Sequence, residues 1–87
     1  MEVLVTPNAV KLIKRLPKVP QIAIYQKLKR MRLAPDIKST KLSGYKNIFR
    51  MRIGNYRVVY EIVNKKAYVF LVGHRKEIYK LLGRFMK

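Results

Sequence analysis

Cysteine is absent from this chain of 87 residues, and residues that hold metal ions are scarce: there is one histidine, and there are four acidic residues. Without cysteine the chain has no disulfide, no thiolate nucleophile and no thiolate metal site. One histidine cannot build a zinc site by itself, and four scattered carboxylates argue against a site for a hard metal ion. The composition therefore predicts a protein that uses no metal and no cofactor.

Long hydrophobic runs are absent as well. Lys11, Lys14 and Arg15 interrupt the first apolar stretch, so no N-terminal signal is visible. The longest uncharged apolar run, residues 67–73, is far too short to span a bilayer. We expect a cytoplasmic protein without membrane contact. The length and the 49% of hydrophobic residues predict a single domain over residues 1–87 with one modest core.

Positive charge dominates what is present. Lys and Arg number 21, the formal net charge is +17, and eleven basic residues fall before Asn47 and ten after it. The charge is therefore not confined to a tail, and six Tyr and three Phe do not fit a disordered basic arm. Because self-repulsion at this charge opposes compaction, we expect a polyanionic partner. Nucleic acid, or a machine that carries nucleic acid, is favoured over other partners.

Two helices are predicted after a short strand at residues 3–5. Thr6 suits a helix N-cap and Pro7 the first helical position. A break at residues 17–20 precedes a second helix from about Pro20 to Leu33, and this short connection favours an antiparallel helical hairpin. Residues 34–36 end the second helix, and residues 37–43 are predicted to form a basic loop. The residues at helical spacing are Ala9, Leu12, Ile13 and Leu16 in the first helix and Ile24, Leu28 and Met31 in the second.

A β-hairpin is predicted around Gly54-Asn55, a pair that suits a type II′ turn. This turn sets Arg52 opposite Arg57 and puts Arg50 on the same face. Like charges directly opposite each other cost up to ~1 kcal/mol. Since a local conflict of this kind marks function more often than fold, we expect removal of Arg52 or Arg57 to leave stability unchanged or slightly raised. The other face should meet the helices through Met51, Ile53, Tyr56, Val58, Tyr60 and Ile62.

A third strand is predicted over residues 67–73 after a turn at Asn64-Lys65, and it completes a β-meander. A two-residue loop would place Tyr68, Phe70, Val72 and His74 on the arginine face, whereas a three-residue loop would reverse them. A short amphipathic C-terminal helix follows. The predicted fold class is α+β, with a small antiparallel-rich sheet, an N-terminal helical hairpin on one face and the C-terminal helix. The apolar stripe of that last helix is Ile78, Leu81, Leu82 and Phe85.

Three motifs in this order and spacing carry a family resemblance: KLSG at residues 41–44, RMRIGNYRVVYEI at residues 50–62 and VGHRKEIY at residues 72–79. The chain resembles the RelE/ParE toxin superfamily of type II toxin–antitoxin modules, and within it the RelE-type mRNA interferases that are also found in archaea. The resemblance covers essentially the whole chain and implies a RelE-like fold.

The resemblance also implies catalytic residues. Arg50 and Arg52 stand where the family has two basic residues, lysines in the reference pattern, before the hairpin. Arg57 matches the arginine of the G-Y-R-V-Y motif, Arg75 the arginine after the Val-Gly turn, and Tyr79 the tyrosine four residues later. ParE members, which poison gyrase, generally lack this arrangement.

The implied reaction is cleavage of mRNA in the ribosomal A site by attack of the RNA's own 2′-OH, which needs no metal. Arg57 would stabilise the phosphorane with its forked donors. Tyr79 would act as the base, since nearby guanidiniums favour its phenolate, and Arg75 would assist the leaving group. His74 is a further candidate for acid work because histidine exchanges protons near neutral pH. A capping or stacking role at the strand end is the favoured alternative for His74.

The implied partners are the ribosome, its mRNA and rRNA, and a RelB-like antitoxin with an acidic helical segment, bound as a heterodimer or heterotetramer. Lys41, Lys46 and Lys76 are candidate RNA-binding residues. The C-terminal helix is either a fixed part of the core or a segment that the antitoxin displaces. Two other functions remain open: a ParE-like inhibitor of a protein target such as gyrase, and a ribosome- or RNA-binding module without chemistry.

Overall fold

The computed structural model describes residues 1–34 and 39–86, which begin with a strand and two helices. Strand β1 is Glu2–Val5, helix α1 is Pro7–Lys14 and helix α2 is Lys18–Leu33. The predicted start of α1 is confirmed, because the side-chain oxygen of Thr6 accepts a hydrogen bond of 3.2 Å from the N–H of Ala9. Helix α2 starts two residues before the predicted position. Pro20 lies in its first turn, where a missing N–H costs no intrahelical hydrogen bond.

The segment after α2 differs from the predicted loop. Helix α2 ends at Leu33, and Pro35, Asp36 and the first two residues of the predicted loop lie outside the described residues. The loop prediction is wrong at Thr40–Lys41, which form strand β2 and pair antiparallel with the next strand. Two residues are too few to show an alternating pattern, so the sequence carried no sign of this strand.

Three longer strands and a last helix follow. Strand β3 is Ile48–Ile53, β4 is Tyr56–Val63, β5 is Lys66–His74, and helix α3 is Ile78–Phe85. They form one five-stranded sheet of order β1-β5-β4-β3-β2. Strand β1 pairs parallel with β5, and the other pairs are antiparallel. The predicted antiparallel-rich sheet is confirmed.

Both hairpin turns have the predicted length, and their backbone angles show why the residues suit them. Gly54 has φ 57° and the next residue is not left-handed, as a type II′ turn requires. Asn64 and Lys65 have φ 50° and 65°, so both central residues of the second turn are left-handed, as in type I′. The first turn sets the predicted register, in which Arg52 lies opposite Arg57.

A β-bulge in β5 changes the predicted alternation of that strand. Tyr60 pairs with Val69, but the preceding residue of β4, Val59, pairs with Leu71, so Phe70 is an extra residue in β5. One extra residue reverses the two faces of a strand from that point onward.

The bulge overturns part of the predicted arginine face. We call the face with Arg50, Arg52 and Arg57 the arginine side, and the face toward α1 and α2 the helix side. Tyr68 pairs with Glu61 and lies on the arginine side as predicted. The placement of Val72 and His74 there is wrong: they pair with Val58 and Tyr56 on the helix side, and Leu71 and Gly73 replace them.

Helix α1 binds the backbone at this bulge. The side-chain Nδ2 of Asn8 donates a hydrogen bond of 3.1 Å to the carbonyl of Phe70. The N–H of Thr6 donates one of 2.9 Å to the carbonyl of Val69. The start of α1 therefore supplies partners to the part of β5 whose regular pairing is interrupted.

Apolar side chains fill both sides of the sheet. On the helix side they join α1 and α2 to the sheet, and on the arginine side a smaller cluster lies under α3. The sheet therefore separates two cores rather than covering the single predicted one. The buried residues of the helix-side core are Val3, Ala9, Ile13, Ile24, Leu28, Met31, Met51, Val58, Tyr60, Ala67, Val69 and Val72. Those under α3 are Ile48, Val59, Phe70, Leu71, Ile78 and Leu82.

No helix in residues 1–34 and 39–86 is long and apolar enough to cross a membrane.

We expect Asn8→Ala to lower the free energy of unfolding by about 1 kcal/mol, because the carbonyl of Phe70 loses its side-chain donor. The melting temperature should fall by about 4–8 °C for a domain of this size. Lys11→Ala is the matched control on the same helix, since Lys11 is exposed. Equal melting temperatures for both variants would show that the hydrogen bond at the bulge contributes nothing.

Candidate functional site

Along the arginine side of β4, a charged residue near the hairpin turn is followed by an apolar residue in the middle of the strand. Arg57 comes first after the hairpin turn, Val59 lies in the core under α3, and Glu61 follows beyond it. Arg57 has Arg52 of β3 as its neighbour on one side and Gly73 of β5 on the other. The apolar middle of the strand anchors α3, and the cationic end beside the turn is left for the site.

Arg57 is held in place by the turn. It is 6% exposed, and its Nη1 donates hydrogen bonds to the carbonyls of Gly54 (3.1 Å) and Tyr56 (2.9 Å). The guanidinium therefore folds back over the hairpin. An arginine has five N–H donors, and within residues 1–34 and 39–86 the Nε and Nη2 of Arg57 have no hydrogen-bond acceptor and can serve a ligand.

Other cations surround Arg57. Burial lowers the pKa of Arg57, and the positive charges of Arg52, Arg50 and Arg75 lower it further, while Tyr79 acts in the opposite direction. Arg57 stays charged, because the ordinary pKa of arginine lies far above neutrality. The residues that interact electrostatically with Arg57 are thus the four that the family resemblance grouped with it.

Gly73 allows α3 to approach the sheet beside Arg57. A Cβ atom at this position would lie 3.1 Å from Cδ1 of Leu81 and 3.3 Å from Cδ1 of Ile78, which is tighter than ordinary contact. Ile78 is fully buried over this glycine, and the next residue, Tyr79, is 52% exposed. The missing side chain at Gly73 therefore sets how closely α3 brings the Tyr79 phenol to the arginines.

Arg75 is attached to the same hairpin. Its backbone N–H donates a hydrogen bond of 2.8 Å to the carbonyl of Asn55 at the tip of the β3–β4 turn. Its side chain is exposed. The chain thus passes from β5 to α3 across the turn that also holds Arg57, which places Arg75 within electrostatic range of it.

His74 has the contacts of a capping and stacking residue. It pairs with Tyr56 on the helix side, and the two rings meet edge to face with centroids 5.6 Å apart. Its Nδ1 accepts a hydrogen bond of 3.2 Å from the N–H of Lys76. These contacts support the alternative favoured from the sequence, and they place His74 on the side of the sheet opposite Arg57.

The three candidate lysines are exposed but dispersed. Lys76 follows Arg75 directly, and Lys46 precedes β3. Lys41 lies opposite Phe49 at the sheet edge and therefore on the helix side. Only Lys76 neighbours the arginines along the chain.

A cleft that sequence reasoning missed lies beside the arginines. Its volume is about 450 Å³, and it is lined by Ser39, Thr40, Arg50 and Arg52. Thr40 lies directly opposite Arg50 on β2. The sequence predicts a loop over residues 37–43, so no sequence signal connects Thr40 with the arginines.

The chain matches known toxins. The family model for the ParE toxin of type II toxin–antitoxin systems matches residues 3–79. Toxin RelE3 of Methanocaldococcus jannaschii is 46% identical over 44 residues, which are 51% of this chain and 48% of that protein. The alignment thus spans about half the length of this curated relative.

Solved structures give the same fold. The RelB–RelE antitoxin–toxin complex from Methanococcus jannaschii matches with a TM-score of 0.77 and 28% identity, over 90% of this chain and 96% of the matched chain. A mutant of the E. coli toxin RelE in the free state matches with a TM-score of 0.74 and 21% identity, over 99% of this chain and 97% of that one, which is a likeness of fold. The predicted α+β fold and the superfamily are confirmed.

We expect Arg52→Met and Arg57→Met to differ in stability, although both remove one of two opposed charges and keep an aliphatic stem. Arg52 is exposed, so its loss should leave the free energy of unfolding unchanged or raise it by up to ~1 kcal/mol. Arg57→Met deprives two carbonyls of a charged donor and should cost about 1–2 kcal/mol. This corrects the expectation from sequence that neither arginine supports the fold.

Urea unfolding of the two variants measures this difference. Equal stability of Arg57→Met and Arg52→Met would show that the hydrogen bonds of Arg57 to the turn contribute nothing net.

Proposed function

The chain belongs to the family of ParE toxins of type II toxin–antitoxin systems, and from this premise we propose that it is a toxin endoribonuclease. It cleaves ribosome-bound mRNA without a metal ion, and a cognate antitoxin neutralises it. The observation that carries the proposal is the gathering of Arg50, Arg52, Arg75 and Tyr79 around the buried guanidinium of Arg57. A fold alone gains nothing from this arrangement of like charges.

The proposed reaction uses the RNA as its own nucleophile. The 2′-oxygen forms a bond to the adjacent phosphorus, the bond from phosphorus to the 5′-oxygen breaks, and a cyclic phosphate and a 5′-hydroxyl result. One proton leaves the 2′-OH and one arrives at the 5′-oxygen, so the reaction is balanced without water or metal. The protein must position the strand, stabilise the phosphorane and exchange these two protons.

Arg57 is the residue best placed to stabilise the phosphorane. The carbonyls of Gly54 and Tyr56 fix its Nη1, so the guanidinium is held in one orientation before RNA binds. Its Nε and Nη2 donors are therefore preorganised. A preorganised donor needs no reorganisation when charge develops on the phosphate oxygens. Arg50 and Arg52 add positive charge beside it.

Tyr79 and Arg75 take the two proton-transfer positions. The Tyr79 phenol is 52% exposed at the start of α3, and we assign it the role of base for the 2′-OH. Arg75 is exposed next to the hairpin and is assigned to the departing 5′-oxygen. His74 faces the other side of the sheet, so we assign it no proton transfer.

The proposed protein partner is a RelB-like antitoxin with an acidic helical segment, in a heterodimer or heterotetramer. The similar RelE from Methanococcus jannaschii was solved in a complex with RelB. A net charge of +17 favours an acidic partner. Helix α3 is docked through the buried Ile78 and Leu82, while Phe85 at its end is 51% exposed. The ribosome, mRNA and rRNA are the proposed targets, and location in the cytoplasm remains a prediction.

A non-catalytic inhibitor is the second candidate. The family model that matches the chain is that of the ParE toxins. The family resemblance implies that ParE members act on gyrase rather than on RNA. The two functions differ in whether mRNA is cut. The same assay distinguishes the endoribonuclease from a ribosome- or RNA-binding module without catalytic activity, since such a module would bind ribosomes without cutting mRNA.

We expect Tyr79→Phe to lower the rate of mRNA cleavage on ribosomes by about 10²–10⁴-fold, the usual contribution of a general base. Ribosome binding should be retained, because the phenol hydroxyl carries no charge that holds RNA. Primer extension on a ribosome-bound message measures cleavage, and co-sedimentation measures binding. The matched control is Tyr25→Phe on α2, where the tyrosine is 43% exposed.

Full cleavage by Tyr79→Phe would exclude Tyr79 as the base. Absence of cleavage by the wild-type protein, together with inhibition of gyrase, would replace the endoribonuclease by the ParE-like inhibitor.

We expect chelation of divalent cations to leave the intrinsic cleavage chemistry unchanged, because the proposed reaction assigns all its roles to arginines and a tyrosine. Since ribosomes need Mg²⁺, the measurement uses a short RNA at high protein concentration, with and without EDTA. Loss of cleavage in EDTA that Mg²⁺ restores would contradict the metal-free reaction.

A further inference from the structure

We propose that the cleft at the sheet edge binds a second phosphate of the RNA strand, next to the phosphate that is cut, through the hydroxyl of Thr40 together with Arg50 and Arg52. The identity of the ligand as RNA rests on the proposed function. The site itself rests on the geometry of β2 and β3. Thr40 has no counterpart in the motifs of the family resemblance.

The cleft has the chemistry of a phosphate site. Thr40 of β2 lies directly opposite Arg50 of β3, and Arg52 is the next residue of β3 on the same face. Together with Ser39 they line a volume of about 450 Å³. A hydroxyl beside two guanidiniums offers neutral and charged donors to one anion, and phosphate oxygens are the acceptors that forked guanidiniums match best.

One donor of Arg50 is unsatisfied within the described part of the fold. Its Nε is covered and finds no acceptor in residues 1–34 and 39–86. A covered donor without an acceptor is costly, and the cost is greater for a charged group. Arg57, by contrast, has two carbonyls for its Nη1. The fold thus fixes Arg57 for the reaction, whereas Arg50 is available to turn toward a ligand that supplies acceptors.

The position of the cleft fits a second phosphate on the same strand. Arg52 borders both the cleft and Arg57, so the cleft begins where the reaction site ends. Neighbouring strands of a sheet lie about 4.8 Å apart, which places β2 about 10 Å from β4. A single-stranded RNA that runs obliquely from Arg57 over Arg52 and Arg50 therefore reaches Thr40, which lies level with Arg50 at the edge. Backbone contacts of this kind position a strand without reading its sequence.

A buried tyrosine holds the wall of the cleft. The Tyr60 hydroxyl donates a hydrogen bond of 2.6 Å to the Oγ of Ser39, the residue before β2. Its ring is 4% exposed and stacks on Phe49 at a centroid distance of 5.6 Å. Burial raises the pKa of Tyr60, with a smaller opposing effect of the hydrogen bond to Ser39, so the hydroxyl remains a donor at neutral pH. Tyr60 is thus a positioning residue that fastens the start of β2 to the helix-side core.

The test is equilibrium binding of uncleavable RNA of increasing length. Oligonucleotides with 2′-O-methyl riboses and one, two, three or four phosphates lack the nucleophile, so binding is measured without reaction. We expect the affinity of the wild-type protein to rise when the second phosphate is added. The log–log dependence on salt should then steepen by about 0.7.

Thr40→Val is the diagnostic variant, because it replaces an exposed hydroxyl by a methyl group of similar size. It should weaken binding of the longer oligonucleotides by roughly three- to tenfold, the net value of one typical hydrogen bond, and leave the one-phosphate ligand unaffected. Thr40→Ser keeps the hydroxyl and should bind as the wild-type protein does. Tyr60→Phe should show the same dependence on length as Thr40→Val.

Equal effects of Thr40→Val at every length would overturn the proposal, as would a wild-type affinity that does not rise with the second phosphate. A fall in the melting temperature of Tyr60→Phe without a length-dependent loss of binding would reduce Tyr60 to a purely structural role and overturn its assignment. Cleavage is scored separately on ribosomes. Length-dependent binding without any cleavage would leave the second phosphate site standing and remove the endoribonuclease. Cleavage without length-dependent binding would overturn the second phosphate site and leave the endoribonuclease standing.

Discussion

The bulge at Phe70 determines what each side of the sheet presents. If the pairing of Tyr60 with Val69 continued without the extra residue, Arg57 would lie opposite Val72, and Gly73 would face the helix side. Helix α3 could not then approach the sheet beside Arg57, because a valine side chain would stand where the glycine leaves room. Since Asn8 of α1 binds the carbonyl of Phe70, a helix on one side of the sheet supports the arrangement of the site on the other.

The arginine side combines two demands that compete on a small surface. Helix α3 needs apolar contacts, and Val59, Phe70 and Leu71 of the sheet supply them. The candidate site concentrates positive charge beside the hairpin turn, where the carbonyls of Gly54 and Tyr56 accept hydrogen bonds from Arg57. The turn carbonyls that bind Arg57 offset part of the repulsion from Arg52, so the pair is retained within one register. The Gly54-Asn55 turn thus both connects β3 to β4 and holds Arg57 in the candidate site.

The parts of the fold that local chemistry specifies could be predicted from the sequence. Thr6 begins α1, and Gly54-Asn55 sets the register of Arg52 and Arg57, because each depends on neighbouring residues only. The bulge depends on a contact between Asn8 and Phe70, which are 62 positions apart. Strand β2 is too short to leave a pattern. These two tertiary effects account for the misplaced Val72 and His74 and for the unrecognised Thr40.

The placement of the candidate site residues, as distinct from their proposed roles, could be predicted to a similar degree. Arg50, Arg52 and Arg57 follow from alternation and turn geometry, and family resemblance adds Arg75 and Tyr79. The resemblance carries no information on how the residues are supported. The hydrogen bonds of Arg57 to the turn, the space left by Gly73 and the bond from Tyr60 to Ser39 all join residues that no periodicity connects.

The place of β1 in the sheet has a consequence for synthesis. Among the strands that the structure describes, β1 comes first along the chain, yet its pairing partner is β5, the last. A ribosome delivers the N-terminal segment first, so β1 and the core residue Val3 wait without their partner strand until residues 66–69 have emerged. Closure of the sheet is therefore a late event with a long sequence separation, which is intrinsically slow. The order of the strands thus makes completion of the helix-side core, which contains Val3 and Val69, one of the last steps of folding.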